Sequence, residues 1–178
     1  MKTTSILIAG FGGQGTLFAG KVLAVAGLNK GLEVTWLPSY GPEMRGGTAN
    51  CSVIISDSPI GSPIVSHPDI LIALNKPSFD KYEKATNPGG IILVDTVLVD
   101  SRSERDDVKL CYVPASDLAR EAGRQGLSNI VLISRAMRES GIFSEEDLKA
   151  ALEYIIPKDR FSMHTKNFRA VELGMQGD

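Results

Sequence analysis

A glycine-rich turn between an apolar run and an apolar helical segment limits the possible folds of this chain more than any other feature. Residues 5–9 are apolar after Ser5 and lead directly into Gly10, which predicts a buried parallel strand. The turn has the spacing Gly10-x-Gly12-x-x-Gly15, and residues 14–29 continue as a largely apolar helical segment. A strand, a glycine-rich turn and a helix in this order indicate the first unit of an α/β fold.

Strand-like and helix-like segments alternate along the rest of the chain. Further strands are predicted at residues 33–37, 49–56, 69–74, 91–94 and 110–113. Pro38 is predicted to end the second strand, and residues 60–64 are predicted to return beside 49–56 as a β-hairpin. Helices are predicted at 78–84, at 115–124, from Ser128, from a capping box at Ser144, and at 161–175. This order predicts a three-layer, Rossmann-like α/β fold, with a mainly parallel, mixed sheet, a β-hairpin insertion and a helical C-terminal part.

Length and composition exclude several classes of protein. The 178 residues are enough for a single domain over residues 1–178 with its own core. The net charge is −2 and no Lys or Arg cluster occurs, so we expect no nucleic acid partner. Two cysteines, Cys51 and Cys111, are too few for an iron–sulfur cluster and are expected in the core. No apolar run is long enough for a signal sequence or a membrane span, so we expect a cytoplasmic protein without a membrane partner.

The glycine-rich turn has dinucleotide-binding spacing but lacks the usual acidic partner. That motif requires an acidic residue about 20 residues later, at the end of the second strand. Here the strand ends at Leu37 and Glu33 lies at its start, so we expect no tight binding of NAD or FAD. Residues 15–22 nearly match a P-loop, but Val22 replaces the hydroxyl that holds Mg²⁺. Either another anion binds the backbone N–H groups of the turn, or the glycines only permit tight packing.

A second glycine-rich loop follows the second strand and is expected at the carboxyl edge of the sheet, beside the first turn. Its candidate binding residues are Tyr40, Glu43, Arg45, Gly46 and Gly47. Because ligands of open α/β sheets bind at this edge, the guanidinium of Arg45 is placed to meet a phosphate or carboxylate. The alternative is a local Glu43–Arg45 ion pair in a surface turn.

Other polar residues follow the strands predicted at 69–74 and 91–94. Asn75, Lys76, Asp95 and Thr96 are expected at the same edge, where such residues cap strands and helices more often than they bind ligands. Asn129 stands at the start of an apolar helix, where it either caps the helix or forms a buried hydrogen bond at an interface.

Together these motifs resemble the gamma subunit, or gamma domain, of the 2-oxoacid:ferredoxin oxidoreductases. The resemblance rests on the turn at residues 10–15, the loop at 40–47, the segment 87–90 before an apolar strand ending in Asp95, and Asn129 with its apolar helix. It covers residues 5–174. The two glycine-rich motifs in this order are specific, whereas either alone is not.

The resemblance implies a role inside a larger complex. Enzymes of this family decarboxylate a 2-oxoacid with thiamine diphosphate and Mg²⁺, pass electrons through iron–sulfur clusters to ferredoxin, and form an acyl-CoA. The implied partners are alpha and beta subunits and a ferredoxin-like delta subunit, and these chains hold the tightly bound cofactors. The gamma part has a proposed share in coenzyme A binding. A separate gamma chain of this size favours 2-oxoglutarate or a branched-chain 2-oxoacid over pyruvate.

The implied site comprises both glycine-rich segments, with no catalytic residue in this chain. The candidate cofactor-binding residues of the first turn are Gly10, Gly12, Gly13, Gln14 and Gly15. A subunit must also carry an apolar surface for its partners to cover. The alternative function is a stand-alone nucleotide- or CoA-binding α/β protein without catalysis of its own.

Overall fold

The strands of this chain build one mixed sheet in a computed structural model that describes residues 3–40 and 48–176. The strands within these ranges are β1 Thr4–Phe11, β2 Glu33–Tyr40, β3 Thr48–Ser56, β4 Ile70–Ala73, β5 Ile91–Asp95 and β6 Lys109–Val113. Their order across the sheet is β2-β3-β1-β4-β5-β6. The strands β1, β4, β5 and β6 are parallel, while β3 runs antiparallel to both of its neighbours.

The helices cover the two faces of the sheet unequally. They are α1 Thr16–Asn29, α2 Lys76–Tyr82, α3 Ala115–Glu121, α4 Ser128–Ser140, α5 Glu145–Ile155 and α6 Phe161–Gln176. The larger core lies between the sheet and α1, α3, α4, α5 and α6. On the opposite face, Phe79 of α2 packs with Leu7 and Val94 in a smaller cluster. The predicted three-layer α/β architecture is therefore confirmed.

The β-hairpin was predicted in the wrong place. Residues 57–68 form no strand, and the antiparallel neighbours of β3 are β2 and β1. The segment that follows β3 contains Pro59, Gly61 and Pro63, which disfavour a second hydrogen-bonded strand. The hairpin is formed instead by β2 and β3, which pair along eight residues.

The second strand is also longer than predicted. It continues through Pro38 to Tyr40. A proline lacks the backbone N–H but is tolerated where that position points away from the sheet. Because β2 is an edge strand, Pro38 does not end it.

Several local predictions agree with the structure. Gly31, with φ of 70°, follows α1 as the expected left-handed residue. Ser144 Oγ accepts a hydrogen bond from Asp147 N, and Asp147 Oδ2 accepts one from Ser144 N, so α5 begins with the predicted capping box. Cys51 is fully buried, which raises the pKa of its thiol to about 12, whereas Cys111 is only half-buried. None of the described helices has the length and apolarity needed to cross a membrane.

Candidate functional site

The glycine-rich turn connects the carboxyl end of β1 to the amino end of α1. Gly13 and Gly15 have φ of 100° and 76°, which only glycine adopts readily. Gln14 N donates to Phe11 O at 3.1 Å and closes the turn. The N-cap residue of α1 is Gly15. Because glycine has no side chain, it forms no capping hydrogen bond to the first N–H groups of the helix. A helix terminus of this kind attracts an anion.

Gln14 braces the turn against the neighbouring strand. Its Nε2 donates to Leu74 O at 3.0 Å, and its Oε1 accepts from Phe11 N at 2.6 Å and from Asn75 Nδ2 at 3.1 Å. A Cβ added to Gly10 would lie 2.7 Å from the same Oε1 atom. Among the predicted binding residues, Gly10 and Gln14 therefore support the turn through packing and hydrogen bonds.

Asn129 fixes the other end of the turn. It is buried, and its Nδ2 donates to Gly15 O at 2.9 Å while its Oδ1 accepts from Ile130 N at 2.9 Å. The side chain thus connects the start of α4 to the start of α1. The sequence predicted capping or buried hydrogen bonding for Asn129, but not this partner, 114 residues away.

A cleft of about 270 Å³ opens beside the turn. Gly13 and Gly15 form one side, and Arg124 lies at the exposed end of the segment before α4. Apolar walls come from Phe18 and Met163, and the polar side chains of Asn129 and Asn167 complete the lining. The cleft combines a helix amino terminus, a cation and apolar walls, which suits an anionic ligand with an apolar or aromatic part.

A cleft of about 330 Å³ also borders the turn, at Gly13 and Gln14. Two larger clefts lie away from the turn. One of about 450 Å³ follows the edge strand β6, and one of about 360 Å³ lies at the amino ends of β4 and β5. Both include Glu139, which pairs with Lys109 at 2.5 Å. That hydrogen bond lowers the pKa of Glu139 and raises the pKa of Lys109. The cleft at the glycine-rich turn therefore stays the candidate site.

The second predicted loop begins at the same sheet edge. Tyr40 pairs with Ala49, which pairs with Gly10, so Tyr40 lies two strands, or about 10 Å, from the first turn. Its side chain is exposed. The other predicted residues of this loop, Glu43, Arg45, Gly46 and Gly47, lie outside the described residues.

The polar residues at the ends of β4 and β5 act as caps. Asn75 Oδ1 accepts from Ser78 N at 2.9 Å at the start of α2. Asp95 is fully buried, and its carboxylate accepts hydrogen bonds from Ser116 Oγ at 2.6 Å and Val97 N at 3.1 Å. Lys76 is exposed and pairs with Asp80. The contacts of Asn75 and Asp95 match the capping role that the sequence favoured, whereas Lys76 forms only a surface ion pair.

Comparison with known proteins identifies the family. The model of the pyruvate ferredoxin/flavodoxin oxidoreductase family matches residues 5–177. This chain belongs to that family. The sequence resemblance to gamma subunits is confirmed by relatives and solved structures that carry this name.

Relatives of two kinds match this family member. The 2-oxoglutarate synthase subunit KorC of Methanocaldococcus jannaschii is 36% identical, over 96% of this chain and 91% of KorC. The ketoisovalerate oxidoreductase subunit VorA of Methanothermobacter marburgensis is 40% identical, but the match covers 86% of this chain and 32% of VorA. The chain thus spans about a third of the VorA relatives and nearly the whole of KorC.

Solved structures of the family share the fold. The keto/oxoacid ferredoxin oxidoreductase gamma subunit of Geobacter sulfurreducens has a TM-score of 0.85 and 30% identity, over 99% of this chain and 96% of that subunit. The 2-oxoglutarate:ferredoxin oxidoreductase of Magnetococcus marinus, solved with 2-oxoglutarate, coenzyme A and succinyl-CoA, has a TM-score of 0.86 and 26% identity. That match covers 98% of this chain and 30% of the Magnetococcus chain.

Sequence reasoning missed two polar side chains that line the cleft, those of Arg124 and Asn167. Arg124 was assigned only to a helix, and Asn167 lies in the helix predicted at 161–175. Neither stands in a glycine-rich motif, and both reach the cleft only when α4 and α6 pack beside the turn. The one local signal for Asn167 is that a polar residue occupies a position on the apolar, buried face of α6.

Proposed function

We propose that this chain is the gamma subunit of a multi-chain 2-oxoacid:ferredoxin oxidoreductase, which oxidatively decarboxylates a 2-oxoacid to an acyl-CoA. The observation that carries the proposal is the nearly full-length correspondence with the Geobacter gamma subunit. The names of the KorC and VorA relatives favour 2-oxoglutarate or a branched-chain 2-oxoacid as substrate. The proposed setting is the cytoplasm, with ferredoxin as electron acceptor.

The proposed contribution of this chain is to hold coenzyme A at the glycine-rich turn. The phosphates of the coenzyme would accept hydrogen bonds from backbone N–H groups at Gly12, Gly13 and Gly15, in the field of α1. Arg124 supplies a positive charge at the mouth of the cleft. The Magnetococcus enzyme was solved with coenzyme A and succinyl-CoA bound, which supports this choice of ligand.

The predicted second loop belongs to the same proposal. Tyr40 ends β2 at the edge where the first turn lies, and Glu43, Arg45, Gly46 and Gly47 come next in the sequence. Arg45 would pair with a phosphate of the coenzyme or with an acidic side chain of a partner subunit. Gly10 and Gln14 support the site from within the chain.

The oxidative chemistry is assigned to other chains of the complex. An iron–sulfur cluster held by thiolates needs about four of them, and the whole chain has two cysteines. We therefore place thiamine diphosphate, Mg²⁺ and the clusters on alpha, beta and delta subunits. This chain would position the acyl acceptor and bind its partners.

A partner surface is proposed at the outer edge of β2, where residues 3–40 and 48–176 add no further strand. Trp36 and Tyr40, on one face of this edge strand, are 41% and 55% exposed, and Leu37, on the other face, is 39% exposed. The one charged residue of the strand is Glu33. We call Trp36, Leu37 and Tyr40 the β2 edge surface. Exposed aromatic side chains without charges are typical of interface centres. The Tyr40 end of the surface lies two strands, or about 10 Å, from the glycine-rich turn, so a subunit bound there would be near the proposed coenzyme site.

The test is reconstitution of the chain with its candidate partner subunits. We expect a stable complex by native mass measurement and CoA-dependent reduction of ferredoxin with 2-oxoglutarate or a branched-chain 2-oxoacid. Omission of this chain should abolish acyl-CoA formation. A chain that binds coenzyme A but assembles with no partner would instead support the stand-alone function. A complex that is fully active without this chain would overturn the proposal.

A further inference from the structure

The strand β6 presents one side of its backbone to no other strand. It forms the end of the sheet opposite β2, and the described part of the chain places no further strand beside it. Lys109 N donates to Gly90 O at 2.8 Å, so the backbone groups of Lys109 and of every second residue after it face β5. The N–H and C=O groups of Leu110 and Tyr112 therefore point away from the sheet and are free to pair with an added strand.

The groove of about 450 Å³ follows this edge on the side of α4. Its lining consists of residues 109–114 of the edge and of Arg135 and Glu139 from the helix. The half-buried thiol of Cys111 lies among these charges: burial and Glu139 raise its pKa, while Lys109 and Arg135 lower it. The charged side chains thus stand beside the middle of β6, where an added strand would lie.

Positive charge exceeds negative charge among the residues that line the groove. Glu139 is their one carboxylate, and it pairs with Lys109 at 2.5 Å and with Arg135 at 3.4 Å. The side chain of Arg135 is only 13% exposed, and this long contact is the one hydrogen bond or ion pair of its guanidinium within the described part of the chain. Because a guanidinium has five N–H donors, a carboxylate in the groove would supply acceptors that the chain itself does not.

A second copy of this chain suits the groove less well than an acidic segment does. Two β6 strands paired antiparallel about a two-fold axis would bring Lys109, Arg135 and Glu139 of both copies to one seam, with four cations and two carboxylates. Like charges across a strand pair repel each other, and lysine on an edge strand discourages pairing between copies. A segment that carries carboxylates avoids this repulsion.

We propose that the edge of β6 binds an extended acidic segment of a partner protein, which adds a strand to the sheet. The backbone of the segment pairs with Leu110 and Tyr112, and a carboxylate on its α4 side meets Arg135 in the groove. The five residues of β6 span about 16 Å, so about five residues of the segment cover the edge. Because β6 and the β2 edge surface lie at opposite ends of the sheet, this inference goes beyond the proposed function and does not depend on it.

The first test compares synthetic peptides on the full chain by fluorescence anisotropy. The peptide Thr-Val-Glu-Val-Glu-Val-Thr places both glutamates on one face of a strand, and a control peptide has lysine in place of each glutamate. We expect the glutamate peptide to bind at least about tenfold more tightly than the lysine peptide. Hydrogen exchange at the amides of Leu110 and Tyr112 should slow at least about tenfold when the glutamate peptide is saturating, because these N–H groups gain acceptors.

Two methylated forms of the glutamate peptide test backbone pairing without a change in the protein. One carries N-methyl groups on the valines and the other on the glutamates. The N–H groups that face β6 belong to the valines if the strands are antiparallel and to the glutamates if they are parallel, because the glutamates must lie on the α4 side. We expect one of the two forms to lose at least about tenfold in affinity and the other to bind as the unmethylated peptide does.

Variants of the groove test the carboxylate contact. Arg135→Met, similar in length but uncharged, should reduce the preference for glutamate over lysine at least about fivefold. Arg169→Met on α6 is the matched control, since Arg169 pairs with Glu121 and Glu172 and lies outside the lining of the groove. Glu139→Gln should strengthen binding of the glutamate peptide, because both cations lose their internal partner. Unfolding of a variant cannot produce such a gain.

Several results would overturn the proposal and leave the proposed function intact. These are no binding of the glutamate peptide at about 1 mM, equal affinity for the glutamate and lysine peptides, equal affinity of the two methylated forms, or an unchanged preference in Arg135→Met. A dimer linked by Cys111 after mild oxidation would assign the edge to a second copy instead. In antiparallel β6 pairs centred on Cys111, the two Cα atoms would lie about 4.5 Å apart, within the range of a disulfide.

Discussion

Asn129 Nδ2 donates a 2.9 Å hydrogen bond to the carbonyl oxygen of Gly15 and so ties the amino end of α4 to the glycine-rich turn. The same carbonyl accepts the first helical hydrogen bond of α1, from Ala19 N at 3.0 Å. The geometry of the proposed anion site therefore depends on a side chain far along the sequence. Its position is held by α4, which packs against both α3 and α6.

Asn129→Ala should loosen the turn and destabilise the protein. The carbonyl of Gly15 would keep its bond from Ala19 N but lose the one from Asn129, and the buried Ile130 N would lose its acceptor, which lowers the free energy of unfolding by about 1–3 kcal/mol. Coenzyme A affinity should fall as well, because the turn loses its fixed geometry. Chemical denaturation and calorimetry measure the two effects. Ser134→Ala on the same helix removes only a bond to the helix carbonyl of Ile130 and serves as the control. Equal coenzyme A affinity in Asn129→Ala and the parent would contradict this role.

Gly15→Ala and Gly13→Ala form a matched pair at the turn. Both residues have positive φ, which costs a non-glycine residue roughly 1–2 kcal/mol. A Cβ at Gly15 would also lie 2.4 Å from Asn129 Nδ2, whereas a Cβ at Gly13 meets nothing within 4 Å. We expect Gly15→Ala to be the more destabilising by at least about 1 kcal/mol, since it breaks the Asn129 contact. Urea denaturation of both variants decides the point, and equal midpoints would argue against the contact.

Arg45→Ala should weaken coenzyme A use or assembly about 10- to 100-fold, since a charge-assisted contact contributes on the order of 1.5–3 kcal/mol. The fold should lose less than about 1 kcal/mol, because loop side chains support little of the core. Arg45→Lys should restore only part of the effect, because an ammonium cannot form a bidentate contact. The CoA Michaelis constant, subunit dissociation and thermal melts of each variant are the measurements. If Arg45→Ala assembles and uses coenzyme A as the parent does, Arg45 has no role in binding and is only a surface turn residue.

Leu37→Asp should impair assembly without unfolding the chain. Leu37 is substantially exposed on the edge strand, so the fold tolerates a charge there, whereas an interface centre does not. We expect at least about tenfold weaker association with the partner subunits, equivalent to about 1.4 kcal/mol, measured by analytical ultracentrifugation. Tyr154→Asp on α5 is the control, because Tyr154 is 78% exposed and lies outside the β2 edge surface. If Tyr154→Asp dissociates the complex and Leu37→Asp does not, the partner binds elsewhere.

The isolated chain should bind NAD(H), FAD and ATP with dissociation constants no lower than the millimolar range, which corresponds to a binding free energy of roughly −4 kcal/mol. Glu33 lies at the amino end of β2, opposite the edge that holds the glycine-rich turn, so no acidic side chain at Leu37 to Tyr40 meets a ribose. The isolated chain should also contain no iron and show no oxidoreductase activity, because it has two cysteines. Titration calorimetry, metal analysis and a ferredoxin reduction assay test these points. Micromolar affinity for any of the three nucleotides, or stoichiometric iron, would contradict them.

The sequence alone determined those parts of the protein that depend on neighbouring residues. The β1–turn–α1 unit follows from an apolar run, glycines at positions of positive φ, and an apolar helix. The capping box at Ser144 and Asp147 follows from residues three apart. The family motifs also lie in short segments, so they were recognisable before the fold was known.

Only the tertiary structure decided which distant segments meet. Residues 60–64 had the composition of a strand, yet β3 pairs with β2 and β1, because strand pairing depends on competition between all strands of the chain. In the same way, Asn129 reaches Gly15 and Asn167 reaches the cleft through the packing of α4 and α6 against the core. Local patterns specify an element and its buried face, whereas the partner of a buried polar atom is set by long-range packing, and here that packing determines the chemistry of the cleft.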